Sequence, residues 1–202
     1  MGHRGRFGKY GEIKRLNRLR RARKSPPFSH AQGTRPSAHG HSFKASDVKK
    51  SSVKIRPARP SDSHYIAQLS ERVFRIYGPY EKIISSWLES GLTVTLVAFM
   101  NRRPVGFVMI SQFPQEANPQ QVSELLAIAV GPEKQRMGIG EMLLKEVEKR
   151  AAQMGISELF LHTAEENLAA QNLFAKNEYV LWGINEGFYP AGQNALIMSK
   201  KI

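Results

Sequence analysis

The sequence predicts one α/β domain, a mixed β-sheet flanked by helices, that begins near residue 52. Strand-like and helix-like segments follow one another over residues 52–202 in the order β-α-α-β-β-β-α-β-α-β-β, which gives about seven strands and about four helices. The chain has 202 residues, of which 41% are hydrophobic, so it can bury one core but is short for two domains. A change in composition near residue 51 places the boundary of this domain.

Residues 1–51 differ from the rest of the chain in charge and in apolar content. Residues 1–50 contain 14 of the 30 Lys and Arg residues but two of the 17 acidic ones, and they contain few large apolar side chains. Such a segment buries too little surface to offset its ordering entropy. We therefore predict a basic, mostly disordered extension with one short helix over residues 12–24. It is a solvated tail, an arm that contacts RNA or the ribosome through phosphates, or a transit peptide.

The composition also excludes several chemistries. The chain has no cysteine, which excludes disulfides, thiolate zinc sites and cysteine nucleophiles and fits a reducing, cytoplasmic location. The histidines of residues 1–50 lack the spacing of metal ligands, so no metal is expected. No apolar run approaches the roughly 20 residues that span a bilayer, so no membrane contact is expected.

Local patterns place the elements of the domain. Period-two alternation indicates strands, apolar residues at helical spacing indicate helices, and Gly and Pro mark the breaks between them. The predicted strands are Val53 to Pro57, Leu92 to Met100, Val105 to Phe113, Val122 to Val130, Leu159 to His162, Tyr179 to Ile184 and Ala195 to Ser199. The predicted helices are one that Ser61 or Asp62 caps and that reaches Ile76, then Tyr80 to Ser90, Gly140 to Met154 and Asn167 to Lys176.

The strand from Val122 to Val130 and the helix after it carry the strongest functional signal. The strand is apolar almost throughout its second half, as expected of a central strand that is buried on both faces. The helix begins just after Gly138 and Gly140, and a helix start has unpaired N–H groups and a positive dipole end that favour an anion. Glycine lets a phosphate approach the backbone, and Arg136 adds a positive charge.

Two glycines before a helix are also compatible with a plain turn. The segment lacks the third glycine of a dinucleotide fingerprint and the Gly-Lys-Ser/Thr of a phosphate loop. Its context narrows the choice: Gln135-x-x-Gly138-x-Gly140 after Ile128-Ala129-Val130 resembles the coenzyme A-binding motif of the GNAT acetyltransferases.

Two further segments resemble the same family in the same order. Ile55-Arg56-Pro57-Ala58-x-x-x-Asp62 is similar to the first strand and helix of these enzymes, and Asn167-x-x-Ala170-x-x-Leu173-Phe174 is similar to their late Asn-x-x-Ala-x-x-Leu-Tyr segment. The resemblance covers roughly residues 53–199. It implies a single GNAT-type domain over residues 52–202, in which two central strands splay apart around the cofactor. It also implies an acyltransferase that moves an acetyl group from acetyl-coenzyme A directly to an amine, without a metal.

Carried over residue by residue, the resemblance implies three groups of cofactor contacts. The backbone of the fourth predicted strand would bond the pantetheine arm, the loop and helix start would hold the pyrophosphate through their amides, and the late segment would close the other side of the arm. The implied residues are Ile128, Ala129 and Val130, then Gln135, Arg136, Met137, Gly138, Ile139, Gly140 and Glu141, and finally Asn167 and Phe174.

The end of the chain resembles one branch of the family, the RimI-type enzymes that acetylate protein N-termini. Tyr189-Pro190-x-Gly192-Gln193-Asn194-Ala195-x-x-Met198 is similar to their Tyr-Pro…Gly-Glu-Asp-Ala…Met ending, with Gln193 and Asn194 in place of the acidic pair. The implied acceptor is the α-amine of a protein or peptide, and Tyr189 would frame its backbone. A small-molecule amine and a catalytically weak coenzyme A-binding module with an RNA-contacting tail are the alternatives.

The transfer step needs a neutral amine and therefore a general base. An α-amine with a pKa of about 7.7–8.0 needs less help than a lysine with about 10.4. His162 stands where the RimI-type enzymes carry their catalytic glutamate, and an imidazole of pKa about 6.5 can act as a base. Glu124 is the other candidate. Phe174 replaces the acid tyrosine and cannot protonate a thiolate. Either Tyr189 or Tyr179 does so, or the thiolate leaves with help from water, or the chain is not an efficient RimI-type enzyme; we expect Tyr179 to be structural.

Overall fold

The computed structural model describes residues 53–112 and 121–202, and the predictions for the basic extension lie outside these ranges. The described residues form seven strands and four α-helices, as the sequence predicts. The strands are β1 (Val53–Pro57), β2 (Thr93–Met100), β3 (Arg103–Ser111), β4 (Val122–Val130), β5 (Glu158–Ala164), β6 (Val180–Asn185) and β7 (Ala195–Lys201). The helices are α1 (Ser63–Phe74), α2 (Tyr80–Glu89), α3 (Ile139–Gln153) and α4 (Leu168–Lys176). None of these helices is both long enough and apolar enough to cross a membrane.

The strands form one mixed sheet in the order β1-β2-β3-β4-β5-β7-β6. All neighbouring strands are antiparallel except β4 and β5, which run parallel and are joined through α3. The predicted α/β class with a mixed central sheet is confirmed.

Helices cover both faces of the sheet, which explains why β4 is apolar at successive positions. On one face, Leu125 of β4 packs in a core that includes Leu143 of α3 and Phe174 of α4. On the other face, Ala127 of β4 packs in a core that includes Ile66 of α1. A central strand between two helical layers has no solvent-facing side, so alternation with polar residues is lost.

The pairing of β4 with β5 stops halfway along β4. Val122 to Leu125 lie opposite Glu158 to Leu161, and no later residue of the two strands is paired with the other strand. A β-bulge coincides with this point, because Met109 of β3 lies opposite Ala127 whereas Ile110 lies opposite Leu125, which leaves Leu126 as an extra residue. Bulges bend a strand and increase its twist. The two central strands therefore splay apart beyond Leu125, as the family resemblance implied.

Two local predictions were wrong. Asn101 and Arg102 both have positive φ (49° and 63°), so β2 and β3 meet in a two-residue turn, and β3 begins at Arg103 rather than at the predicted Val105. Helix α1 ends at Phe74 and a 3₁₀ turn follows, which leaves the Ile76 side chain 66% exposed rather than on the core stripe.

The start of α1 also differs from the prediction. Asp62 stands at the N-cap position, but its side chain does not cap the helix. Its two carboxylate oxygens instead accept hydrogen bonds from the Arg56 guanidinium (2.7 and 3.0 Å). The bond from Arg56 holds the pKa of Asp62 below its ordinary value. This pair ties the end of β1 to the first helix.

Candidate active site

The splay exposes one backbone edge of β4. Residues of an antiparallel strand alternate between those that bond to the partner and those that point away from it. The Gly131 N–H donates to the Val105 carbonyl of β3 (2.9 Å), and Ala129 lies opposite Phe107, so the alternation assigns the polar backbone groups of Ala129 to β3. Those of Ile128 and Val130 face the diverging β5. Ile128 and Val130 can therefore bond a ligand that lies in the gap, whereas Ala129 lines it without a free backbone group.

The start of α3 closes one end of this gap. Gly138 is its N-cap in the left-handed conformation (φ 78°), and Arg136 before it also has positive φ (62°). The first helical hydrogen bond runs from the Met142 N–H to the Gly138 carbonyl (3.0 Å). No acceptor among the described residues bonds the N–H groups of residues 136–141. These amides form a donor set of the kind that binds phosphate.

The side chains around these amides leave them open. The Glu141 carboxylate turns to the ammonium groups of Lys145 (2.7 Å) and Lys176 (2.9 Å), whose hydrogen bonds lower its pKa to about 2. The Gln135 amide donates to the Val130 carbonyl (3.2 Å), and Met137 is 46% exposed. The buried Ile139 side chain fixes the first turn to the core. Open amides beside an open strand edge fit a pyrophosphate followed by an amide-bearing arm.

Asn167 and Phe174, which the resemblance implied as cofactor contacts, both take part in contacts within the protein. The Asn167 side-chain oxygen accepts a hydrogen bond from the Ala170 N–H (3.1 Å) and thereby caps α4, and the same side chain also bonds the Tyr77 hydroxyl. Phe174 is 2% exposed and packs against Tyr179 inside the core. Tyr179 lies in the core of the α3 face, and burial raises its pKa strongly. Packing, rather than proton transfer, accounts for Tyr179.

The structure brings the two predicted bases into contact. Glu124 of β4 lies opposite Phe160 of β5, and His162 is two residues farther along, so both side chains project from the α1 and α2 face of the sheet. The His162 Nδ1 lies 3.1 Å from the Glu124 Oε1. The two side chains are only 5% and 12% exposed. They are 38 residues apart in the sequence, and nothing in the local pattern predicts that they form a pair.

An aromatic wall, which we define as Tyr77, Tyr80, Phe188 and Tyr189, stands beside this pair. Phe188 stacks on the His162 ring, with centroids 4.2 Å apart and planes 9° from parallel. The Tyr189 ring packs against Tyr77 (4.8 Å), Tyr80 (5.9 Å) and Phe188 (5.1 Å). Sequence reasoning singled out Tyr189 but missed the other three. The sequence did contain a signal for them, because Tyr77 and Tyr80 flank Gly78-Pro79 and Phe188 follows Gly187. Aromatic residues in or next to loops often line a site.

Burial keeps the phenols of this wall protonated. It raises the pKa of Tyr80 to about 12, and the Glu124 carboxylate acts in the same direction. Burial also raises the pKa of Tyr189, with smaller contributions from Tyr80, Tyr77 and Glu124. A phenol with a raised pKa releases its proton less readily but still donates a hydrogen bond. This favours the predicted framing role of Tyr189 over a role as general acid.

Two loops are fastened together at this end of the sheet. The Ala191 N–H donates to the Tyr77 carbonyl (3.3 Å), and the Gln193 side-chain NH₂ donates to the Ile76 carbonyl (2.7 Å). Gly78 packs so closely on Pro190 that an added Cβ would lie 2.7 Å from the proline Cβ. The α1–α2 connection and the β6–β7 loop therefore form one joined rim, which we call the loop clamp. Gln193, which replaces an acidic residue of the resembled ending, is part of this clamp.

Comparisons with known proteins agree with this architecture. The sequence profile of the Acetyltransferase (GNAT) family matches residues 63–179, which is more than half of the chain. The ribosomal-protein-S18-alanine N-acetyltransferase of Escherichia coli superposes with a TM-score of 0.63 at 22% identity, over 74% of this chain and 94% of that one. A search of curated proteins found no significant match.

Two other solved structures have the same fold. NAA60 of Arabidopsis thaliana, in complex with a bisubstrate analogue, superposes with a TM-score of 0.63 at 19% identity, over 74% of this chain and 98% of that one. The PaiA N-acetyltransferase of Thermoplasma acidophilum, in complex with coenzyme A, gives 0.56 at 21% identity, over 75% and 99%. At these identities the likeness establishes the fold.

Proposed function

Because the chain belongs to the GNAT family of acetyl-coenzyme A-dependent acyltransferases, we propose that it transfers the acetyl group to the α-amine of a protein or peptide N-terminus. The cofactor would lie in the gap between β4 and β5. Its pyrophosphate would accept hydrogen bonds from the amides of residues 136–141, and its pantetheine arm would bond the free edge at Ile128 and Val130. The Asn167 NH₂ group would reach the arm from α4.

The loop clamp is the observation that carries the choice of acceptor. Hydrogen bonds from Ala191 and Gln193 to the backbone of residues 76 and 77 hold the two loops together next to the splay. The aromatic wall lies directly beneath this rim and borders His162. An acceptor would therefore approach along this aromatic wall, which suits the narrow end of an extended chain. Tyr189 can donate a hydrogen bond to the acceptor's backbone because its phenol stays protonated.

The chemistry of the site also suits an α-amine. Such an amine is partly neutral near pH 7.5, because its pKa of about 7.7–8.0 is close to that pH, whereas a lysine amine must be deprotonated against a pKa of about 10.4. A carboxylate or an imidazole that acts as general base therefore has less to do for an α-amine than for a lysine amine. The similar enzyme from E. coli is, by its name, a ribosomal-protein-S18-alanine N-acetyltransferase. Its acceptor is thus a residue of a protein, as we propose for this chain.

A peptide-library assay with labelled acetyl-coenzyme A tests this proposal. The library contains peptides with each of the 20 first residues and an internal lysine, and a matched library carries a blocked N-terminus. We expect label on free N-termini, placed on the α-nitrogen by fragmentation mass spectrometry, and almost none on the blocked library. Label on polyamines or amino sugars but on no peptide would replace the proposed acceptor with a small amine. Tight cofactor binding without turnover on any amine would contradict transferase activity altogether.

A further inference from the structure

We propose that Glu124 is a positioning residue, which holds His162 so that the imidazole Nε2 takes the proton from the acceptor amine. This inference rests on acetyl transfer to an amine, but it does not depend on which amine is the acceptor. It assigns different roles to two residues that, from the sequence alone, are alternative candidates for the same role.

The hydrogen bond between the two side chains determines the tautomer of the imidazole. An ionised carboxylate can only accept a hydrogen bond, so the Nδ1 atom that lies 3.1 Å from the Glu124 Oε1 carries the proton. In a neutral imidazole the other nitrogen, Nε2, then has the free electron pair. No described residue makes a hydrogen bond with Nε2. The nitrogen that can accept a proton is therefore the one that the residues of 53–112 and 121–202 leave without a hydrogen bond.

Two contacts at right angles fix the orientation of the ring. The bond to Glu124 lies in the plane of the imidazole, and Phe188 covers one face of it at a centroid distance of 4.2 Å. Phe160 adds an edge contact at 6.1 Å. With its side chain 5% exposed, His162 has little freedom to change rotamer. A base that does not reorient loses less entropy when the substrate arrives.

The position of His162 along β5 places it next to the reaction. The last paired residues of β4 and β5 are Leu125 and Leu161, so His162 is the first residue of β5 in the splayed half. On the facing strand, the free backbone edge at Ile128 begins just beyond the bulge at Leu126. The imidazole thus stands where the gap opens, between the proposed cofactor edge and the aromatic wall.

The proton and electron balance of the step is simple. The acceptor nitrogen forms a bond to the acetyl carbonyl carbon, and the C–S bond of the thioester breaks with its electron pair leaving on sulfur. One N–H proton of the acceptor passes to Nε2, directly or through one water molecule, and then to solvent. The thiolate takes a proton from solvent. No enzyme-bound acyl group is required.

Few other ionisable groups face the imidazole. Tyr77 of the α1–α2 connection, Tyr80 of α2 and Tyr189 of the β6–β7 loop are the phenols on this side, and burial raises the pKa of all three. Ile197 of β7, opposite His162, and the rings of Phe160 and Phe188 do not titrate. Glu124 is the charged group that the described residues bring against His162. Its removal should therefore change which imidazole nitrogen carries the proton.

Nitrogen NMR of the unliganded protein gives a readout that does not depend on activity. The His162 resonances are identified by their loss in His162→Gln. We expect wild-type His162 to carry its proton on Nδ1 at high pH. In Glu124→Ala, which removes the acceptor of the Nδ1 proton, the neutral imidazole should populate both tautomers at high pH. Glu165→Ala, which also removes a carboxylate at this end of the sheet, should leave the proton on Nδ1. A wild-type proton on Nε2, or an unchanged tautomer in Glu124→Ala, would overturn the proposal.

The pH dependence of kcat/KM then links this tautomer to catalysis. Wild type should show an acidic limb, which reports the protonation of a general base, and the plateau should fall in Glu124→Ala but not in Glu165→Ala. His162→Gln should lose that limb and about 10²–10⁴-fold in kcat, while acetyl-coenzyme A still raises its melting temperature. Wild-type kcat in His162→Gln would refute the role of the imidazole. If only small amines are acetylated, the proposed acceptor is wrong, but the same profile on those amines still decides the role of Glu124.

Discussion

Strands β4 and β5 are paired along their first halves and separate along their second halves, and the two halves differ in what their backbones do. In the first half, Val122 to Leu125 pair with Glu158 to Leu161 and their apolar side chains close the core. In the second half, beyond the bulge at Leu126, the strands part and leave the backbone edge at Ile128 and Val130 without a strand partner. Unpaired backbone groups inside a protein are unfavourable unless something else satisfies them. The comparison teaches that one half stabilises the domain, whereas the other retains donors and acceptors for a ligand.

The largest expected effect is the difference between substitutions at two neighbouring residues of β5, Leu161 and His162. Leu161, in the paired half, is fully buried, so Leu161→Ala should lower the free energy of unfolding by about 2–5 kcal/mol through lost packing and a cavity. It should leave kcat of the folded enzyme within a few-fold. His162→Gln should show the reverse, with a large loss of kcat and a smaller loss of stability. Urea unfolding measures the free energy of unfolding, and single-turnover kinetics measures the rate of acetyl transfer. If the two variants lost stability and activity to the same extent, the two halves would not differ in role.

The second prediction concerns the glycine at the start of α3. Gly138 (φ 78°) and Gly155 (φ 76°) have the same left-handed backbone, and an added Cβ would meet nothing within 4 Å at either position. Alanine at either site should therefore destabilise the protein by about 1–2 kcal/mol through backbone strain. Only Gly138→Ala should weaken acetyl-coenzyme A binding, by about tenfold, since a change of about 1.4 kcal/mol is tenfold in affinity.

Titration calorimetry on these two variants checks this difference. Because Gly155→Ala carries the same strain, it controls for general loss of stability. Equal affinities in the two variants would mean that the amides after Gly138 do not hold the pyrophosphate.

The smallest expected effect comes from the charges beside the same amides. Glu141 is held by Lys145 and Lys176, and its negative charge opposes an anion at the helix start. Glu141→Gln should therefore tighten acetyl-coenzyme A binding about two- to fivefold, which corresponds to the 0.3–1 kcal/mol of a charge near a helix end. The gain should shrink in 0.5 M salt because screening weakens it. Glu146→Gln, farther along α3, is the matched control, and a weaker affinity in Glu141→Gln would contradict the prediction.

Much of the fold could be predicted from the sequence because its signals are local. Apolar periodicity located every strand and helix of the described residues to within a few positions, and the glycines marked the start of α3. The errors were local as well. The left-handed Asn101 and Arg102 shortened a turn, and the exposed Ile76 shows that α1 ends earlier than its apolar spacing predicts. Both errors arise because the pattern of apolar and polar side chains does not specify the backbone conformation at a turn or at a helix end.

The sequence by itself determined the order of elements, the central position of β4 and the residue types available at the site, since these follow from propensity and periodicity. Only the tertiary structure decided which of them act together. The bulge at Leu126 sets the register of β4, and the parallel pairing with β5 sets where the strands part. Those two long-range choices join Glu124 to His162 and direct the backbone groups of Ile128 and Val130 into the gap. Contacts between distant residues depend on register, which no local pattern encodes.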